Sequence, residues 1–266
     1  MVNEFPQVLT IAGSDSDGSA GMQADLHTFF VHNTYGASVI TACVAGNSFG
    51  IHDSVAMPIS FINQEFKDLA DDFKIRAAKT GMLGDSALIH AVAQNYQNYE
   101  WGPLVVDPVI VTKHGAMLLE QEAFDALKTE LIPLATVLTP NFYEAEKLAE
   151  MKINSDDDVK TAAKKLQKLG AKNIIIKGKH IAGETEKVRD YILLESGKDF
   201  WIDGPFYSTT HKNGTGDSLS AAITAELGKG ASVEDAIRTA DDYVDKAIKN
   251  EIAVGHKFGP INHWAR

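Results

Sequence analysis

Short apolar runs alternate with segments of helical spacing along most of the chain. Val8–Gly13 (VLTIAG) is a compact apolar run closing on glycine, and Ala24, Leu26, Phe29 and Phe30 then recur at helical intervals over Gln23–His32. Ala37–Ala45 is apolar and β-branched, which predicts a buried strand. Over Ser60–Phe73, Phe61, Ile62, Phe66, Leu69, Ala70 and Phe73 share one helical face, with Ser60 as the expected N-cap after Pro58. The same alternation predicts strands over Ile75–Thr80, Pro103–Val109, Ala135–Thr139 and Asn173–Lys177. Helices are predicted over Ser86–Tyr99, Glu120–Ile132, Phe142–Met151 (capped by Asn141) and Asp156–Leu169. Val188–Glu195 and Lys198–Ile202 predict a hairpin about Ser196-Gly197, and two closing helices follow over Gly216–Leu227 and Val233–Ile252.

Strands separated by helices imply parallel pairing with helices on both faces. The expected fold is α/β, one domain spanning residues 1–266, its central, mainly parallel sheet sandwiched between helix layers. Ligands of such sheets bind beyond the carboxyl ends of the strands. The loops expected there are Gly13–Gly21, Gly46–His52, Gly81–Asp85, Asp107–Gly115, Thr139–Glu144, Lys177–Glu186 and Ser208–Asp217.

Composition narrows the partners. In 266 residues, 25 Lys+Arg face 36 Asp+Glu, a formal net charge of −11, which argues against nucleic acid or an anionic membrane surface as partner. Cys43 is the single cysteine, so an internal disulfide and a cysteine zinc site are excluded and a reducing cytoplasm is expected. The start MVNEFPQVLTIAGSD lacks the pattern of a secretory signal, and no apolar run approaches the roughly 20 residues that span a bilayer.

The strongest chemical signal is Asn213-Gly214-Thr215-Gly216-Asp217, which opens the apolar helix SLSAAITAEL. Two glycines permit a tight turn, and free N–H groups at a helix start form an anion cradle. Bound phosphate would repel Asp217 in that turn, so the carboxylate makes chemical sense as acceptor of a proton from an attacking alcohol. Its plain alternative is a first-turn carboxylate serving the helix dipole. Asn141 and Glu144 are both a capping-box pair and a candidate site for Mg²⁺ held through water. Asp107 ends an apolar strand, where an ionised carboxylate needs a metal or lysine partner, unless it forms an Asx turn before Pro108. Lys177 ends NIIIK, a strand-end cation suited to phosphate or else a solvated lysine. Gly13–Gly21 is a glycine- and carboxylate-rich loop without the lysine of a phosphate loop or dinucleotide-type glycine spacing. Asp25, one turn beyond it, is a candidate partner for a substrate hydroxyl or ring nitrogen. Neither a His-Glu-x-x-His nor a Gly-x-Ser-x-Gly is present.

TIAGSDSDGSAGMQADLHTF, AAKTGML, VVDPVIV, LTPNFYEAEKL and NGTGDSLSAAITAEL, in this order, resemble the vitamin-kinase branch of the ribokinase-like superfamily. That branch holds hydroxymethylpyrimidine and phosphomethylpyrimidine kinases and bacterial pyridoxine/pyridoxal kinases. The likeness runs from about Val8 to Pro260, and the tail AIKNEIAVGHKFGPINHWA is similar to the pyridoxine-kinase-like members. The resemblance implies a ribokinase-like fold, ATP, Mg²⁺, often a monovalent cation such as K⁺, a small vitamin substrate and a homodimer. It implies that Gly214, Thr215 and Gly216 form the anion hole with Asp217 as base. Asn141 and Glu144 become the magnesium and phosphate motif, with Asp107 and Lys177 beside the ATP phosphates. Gly13, Asp25, Met82 and Val109 line the substrate pocket, and Gly46 lies in its strand-end loop.

Three departures from the family pattern bear on the substrate. Asp217 stands where many members carry Cys, which favours ordinary alcohol deprotonation. Gly46 replaces the Gln or Glu with which pyrimidine kinases pair the ring, and loss of such a contact costs discrimination. The stretch Val111-Thr112-Lys113-His114-Gly115 lacks the lid Cys of dual-specificity members, leaving Lys113 or His114 to reach phosphate or substrate. The leading expectation is therefore a kinase for the hydroxymethyl group of a B6 vitamer. A hydroxymethylpyrimidine/phosphomethylpyrimidine kinase is the alternative, and a non-catalytic vitamin- or nucleotide-binding regulator ranks third.

Overall fold

The structure, a computed structural model, describes residues 4–111, 119–179 and 187–265. In chain order the strands are β1 (Gln7–Asp15), β2 (Tyr35–Asn47), β3 (Gly50–Ala56), β4 (Ile75–Thr80), β5 (Leu104–Val106), β6 (Val137–Leu138), β7 (Asn173–Ile176), β8 (Lys187–Leu193), β9 (Asp199–Pro205), β10 (His211–Asn213) and β11 (Gly259–Pro260). The helices are α1 (Gly21–Val31), α2 (Ile59–Asp72), α3 (Ser86–Asn98), α4 (Gln121–Ala126), α5 (Phe142–Leu148), α6 (Asp156–Lys168), α7 (Thr215–Gly228) and α8 (Val233–Lys249). Nine strands form one sheet in the order β3-β2-β1-β4-β5-β6-β7-β8-β9. Pairing is parallel from β2 to β7 and antiparallel at β2/β3, β7/β8 and β8/β9.

Successive strand residues leave opposite faces of the sheet, and here both faces are apolar. Val8, Ala77, Val105, Val137 and Ile175 pack with α1, α7 and α8. Leu9, Ala78, Leu104, Val106, Leu138 and Ile174 pack with α2 to α6. The expected mainly parallel sheet between helix layers is present. α7 is buried from Ser218 to Gly228 and is built from small residues, so it lies close on the sheet. A Cβ on Gly228 would stand 2.5 Å from Val8 Cγ1.

Several expected boundaries shift for identifiable reasons. α2 begins at Ile59, with extended Pro58 as N-cap, and no side chain, Ser60 included, caps it. The Gly46–His52 loop is instead the turn of a β2–β3 hairpin. The Pro103–Val109 strand shrinks to three residues, since Pro108 lacks a donor and Val109 turns to a φ of 46°. α4 passes into a π turn at Leu127–Leu131 and a 3-10 turn at Ile132–Leu134, where Pro133 stops it. α5 ends at Leu148 and α8 at Lys249, each short of its expected limit.

Candidate active site

At the carboxyl end of the sheet, β1 and β4 lie side by side while their following connections diverge, the switch point where α/β proteins bind ligands. The residues Val8 and Ala77, paired in register, belong to the apolar row under α7, and the next pair on that face is Thr10 and Lys79. The row thus turns polar directly beneath the start of α7.

Lys79 is 0% exposed. Its Nζ lies 2.6 Å from Asp25 Oδ1, 4.0 Å from Asp217 Oδ1 and 3.5 Å from the Asp217 carbonyl. Asp25, also 0% exposed, takes its second bond from Thr10 Oγ1 at 2.5 Å. Asp25 was expected to meet substrate; both its oxygens are instead engaged inside the protein, so it acts on the cleft through Lys79. Burial pushes the Asp25 carboxyl up, opposed by Lys79, while Asp25 and Asp217 keep the Lys79 ammonium above its ordinary value.

The turn expected to cradle an anion lies at the start of α7. Gly214 adopts a φ of 78° as N-cap of α7, and a Cβ there would run into the Ser19 carbonyl. No side chain caps this helix, which leaves the first amides of Thr215, Gly216 and Asp217 open to a ligand. Thr215 Oγ1 donates to the Lys212 carbonyl at 2.8 Å and steadies the turn. A Cβ on Gly216 would stand 3.3 Å from Lys177 Nζ and 3.5 Å from Asp107 Oδ2, which places both charges against the cradle. The Asp217 side chain is 22% exposed. Burial raises its pKa, Lys79 opposes the rise, Asp107 adds to it, and Lys177 and the Gly21 amide lower it.

Lys177 Nζ lies 3.4 Å from Asp107 Oδ1, resolving the choice at Asp107 in favour of a lysine partner. Glu144, 2% exposed, closes the capping box: its Oε2 accepts from Asn141 N at 2.8 Å, and Asn141 Oδ1 accepts from the amides of Tyr143 and Glu144. Glu144 Oε1 also accepts from Ile110 N at 2.9 Å, and Asn141 Nδ2 donates to the Val111 carbonyl at 3.1 Å. The two residues therefore pin the segment leaving β5, where β-branched Val109 is held in the left-handed region. Burial pushes the Glu144 carboxyl up to about 7, with Lys177 opposing and Asp107 reinforcing.

On the substrate side, a Cβ on Gly13 would stand 2.8 Å from Met82 Cε, so these two expected pocket residues meet. Thr41 Oγ1 donates to the Met82 carbonyl at 2.8 Å. Gly46 is bound through its backbone N and O to Ser16 Oγ at 2.9 Å each, and a Cβ there would stand 2.9 Å from the Gly50 carbonyl. A side chain at position 46 would press on the β2–β3 turn. Lys113 and His114 lie outside the described residues. Sequence reasoning missed Lys79 and Thr10; the available signal was a lysine and a threonine inside apolar strands, at the ends nearest the cleft.

Asp25 and Asp217 lie against Lys79, and Asp107 and Glu144 lie about Lys177, so carboxylate oxygens gather round two buried cations. Hard oxygen donors suit Mg²⁺, which takes one or two carboxylates and completes its shell with water and phosphate. Among the described residues no group of three or more His, Cys, Asp or Glu is arranged to hold a metal alone.

A family profile described as phosphomethylpyrimidine kinase matches residues 15–262. The chain is 45% identical over 265 residues to a hydroxymethylpyrimidine/phosphomethylpyrimidine kinase of Haemophilus influenzae, covering 99% of this chain and 98% of that one. It is 40% identical to the protein of the same description from Bacillus subtilis, covering 97% and 95%. Its fold is similar to the crystal structure of an ADP complex of Bacillus subtilis pyridoxal kinase, with a TM-score of 0.90, 36% identity and 98% of both chains covered. That likeness bears out the ribokinase-like architecture. The sequence relatives favour the pyrimidine acceptor over the B6 acceptor that leads from Gly46, a correction to the leading expectation; the structural neighbour is a B6 kinase.

Proposed function

The chain belongs to the phosphomethylpyrimidine kinase family and is an ATP-dependent phosphotransferase of the ribokinase-like vitamin-kinase branch; from this we propose that its acceptor is the hydroxymethyl group of a pyrimidine alcohol. The observation that carries the reading is Asp217, set at an uncapped helix start with Lys79 beneath it and Lys177 beside the turn. The alcohol O–H gives its proton to the Asp217 carboxylate as the O–P bond forms. The bond from phosphorus to the ADP oxygen breaks, and ADP leaves with that electron pair. The amides of Thr215 and Gly216, with Lys177, meet charge on the moving phosphoryl group, and electrostatic positioning supplies most of the rate gain. Lys79 opposes the rise that burial imposes on the Asp217 pKa and so favours the charged form. Asp107 and Glu144 would hold Mg²⁺ through water, supplying charge neutralisation at the phosphates; Asn141 fixes Glu144 for that role.

A B6 vitamer is the second reading, favoured by Gly46, whose position against the hairpin turn leaves no side chain to pair a pyrimidine edge. Met82, Gly13 and Val109 serve the substrate pocket in either case. The homodimer belongs to this proposal, supported by the exposed Ile51 and Val55 of edge strand β3. So does a cytoplasmic setting, supported by the free, exposed Cys43. Among the described residues no helix is long and apolar enough to cross a membrane.

Turnover measured side by side with the pyrimidine alcohol and with pyridoxal decides the acceptor: the pyrimidine should give the higher kcat/KM. Asp217→Asn serves as the blank, expected to lose about 10²–10⁴-fold in kcat while binding ATP normally. Higher kcat/KM with pyridoxal reverses the order of the two readings, and near-normal turnover by Asp217→Asn removes the base.

A further inference from the structure

The tail of the chain runs back across the cleft. Phe258 N donates to the Ser48 carbonyl in the β2–β3 turn at 3.0 Å. β11 then pairs with β10, matching Gly259 to His211 and Pro260 to Asn213, the residue just before the anion-hole turn. Ile261 N donates to the Asn213 carbonyl at 3.2 Å, and buried His263 places Nε2 3.1 Å from Ser218 Oγ, one residue past Asp217. Asn262 N donates to the Ala247 carbonyl of α8 at 3.0 Å, and Tyr243 Oη donates to the His263 carbonyl at 3.4 Å, so the strap is anchored to a rigid helix.

We propose that this tail is a strap that fixes the anion-hole turn in register with the alcohol, with His263 as the positioning residue acting on Asp217 through Ser218. The proposal rests on Asp217 and its turn being the catalytic centre. β10 is too short to hold its own direction, and α7 has no N-terminal side-chain cap. The strap bonds to the chain on both sides of Gly214. A Cβ on Gly259 would run into the His211 ring, so only glycine lets β11 approach this closely.

Steady-state assays of the full-length protein test it with His263→Leu, His263→Gln, Gly259→Ala and Asp217→Asn. His263→Leu is expected to lower kcat about 10–100-fold with both KM values within about twofold, as misplacement at the reacting atoms does. His263→Gln, whose amide reaches the same place, should recover kcat to within about threefold of the parent. Gly259→Ala should lower kcat although every polar group of His263 remains. Parent-like kcat in His263→Leu overturns the proposal, as does a joint loss in kcat and KM that glutamine does not rescue. Should His263→Leu fail to fold, an unchanged kcat in Gly259→Ala overturns it. An inactive Asp217→Asn beside a parent-like His263→Leu sinks the strap alone, whereas an active Asp217→Asn sinks the catalytic reading on which the strap rests.

Discussion

Lys79→Met would strand Asp25, a carboxyl with no exposure and one remaining partner, Thr10. The expected loss is about 3–5 kcal/mol, read from the urea midpoint, because an uncompensated buried charge is left behind. Lys79→Met/Asp25→Leu removes both charges and should recover most of that stability, since apolar replacement of a buried pair is close to neutral. In the folded double variant Asp217 keeps its burial and the charge of Asp107 but retains only Lys177 and the Gly21 amide to oppose them. Its carboxyl then titrates higher, and the acid limb of kcat/KM should move up. An unmoved limb would mean that Lys79 serves Asp25 alone. Asp217 and the glycines before it were legible because everything the cradle needs lies within five consecutive residues. Lys79 was not, because its meaning depends on Asp25, which lies on a different element.

At the level of elements, α8 carries a built-in penalty. Asp241 is pushed up to about 7 by burial and by Asp190 of β8 and its helix neighbours Asp245 and Asp242, with Arg238 opposing. Its ordinary value is 3.8, so between there and about 7 the folded chain holds a proton the unfolded chain has released. The group's contribution to stability is therefore present below 3.8 and lost as the pH rises through about 7. Asp241→Asn should stabilise the protein at pH 8 by about 1–2 kcal/mol after screening, and by little at pH 4, as thermal melts at the two pH values would register. Identical gains at both would point to a cause other than charge. Elements with a buried face, such as β1, β4 and α8, were readable from their apolar spacing. β3 was not: all seven residues are exposed, and it exists through backbone pairing with β2. β10 and β11 escaped for a different reason, since three residues and two residues from distant parts of the chain carry no periodicity.

For the molecule as a whole, the net charge of −11 coexists with a cleft centred on two lysines, so the global sign argues against polyanions without speaking to a nucleotide. The edge of the β2–β3 hairpin is the feature on this scale that asks for a partner. Ile51, 72% exposed, and exposed Val55 lie on edge strand β3, with exposed Phe49 in the turn before it, an arrangement that natural sheets usually blunt or cover. Ile51→Lys should convert the proposed dimer into single chains, measured by light scattering, with folding intact. A parent that is already monomeric, or a variant that stays dimeric, removes β3 as the contact.

The pairing of Thr10 with Lys79 also sets a rule of parity. An extra residue inserted between Ala77 and Lys79 would swing the ammonium through the sheet to the layer occupied by Ala78 and Leu104, leaving Asp25 bare and the cleft without its counterion. Two extra residues would restore the side but carry the ammonium about 6–7 Å too far along the strand. The length of this strand is thus locked by chemistry at its end, and a deletion or insertion here should abolish turnover even where the apolar layers close again around it.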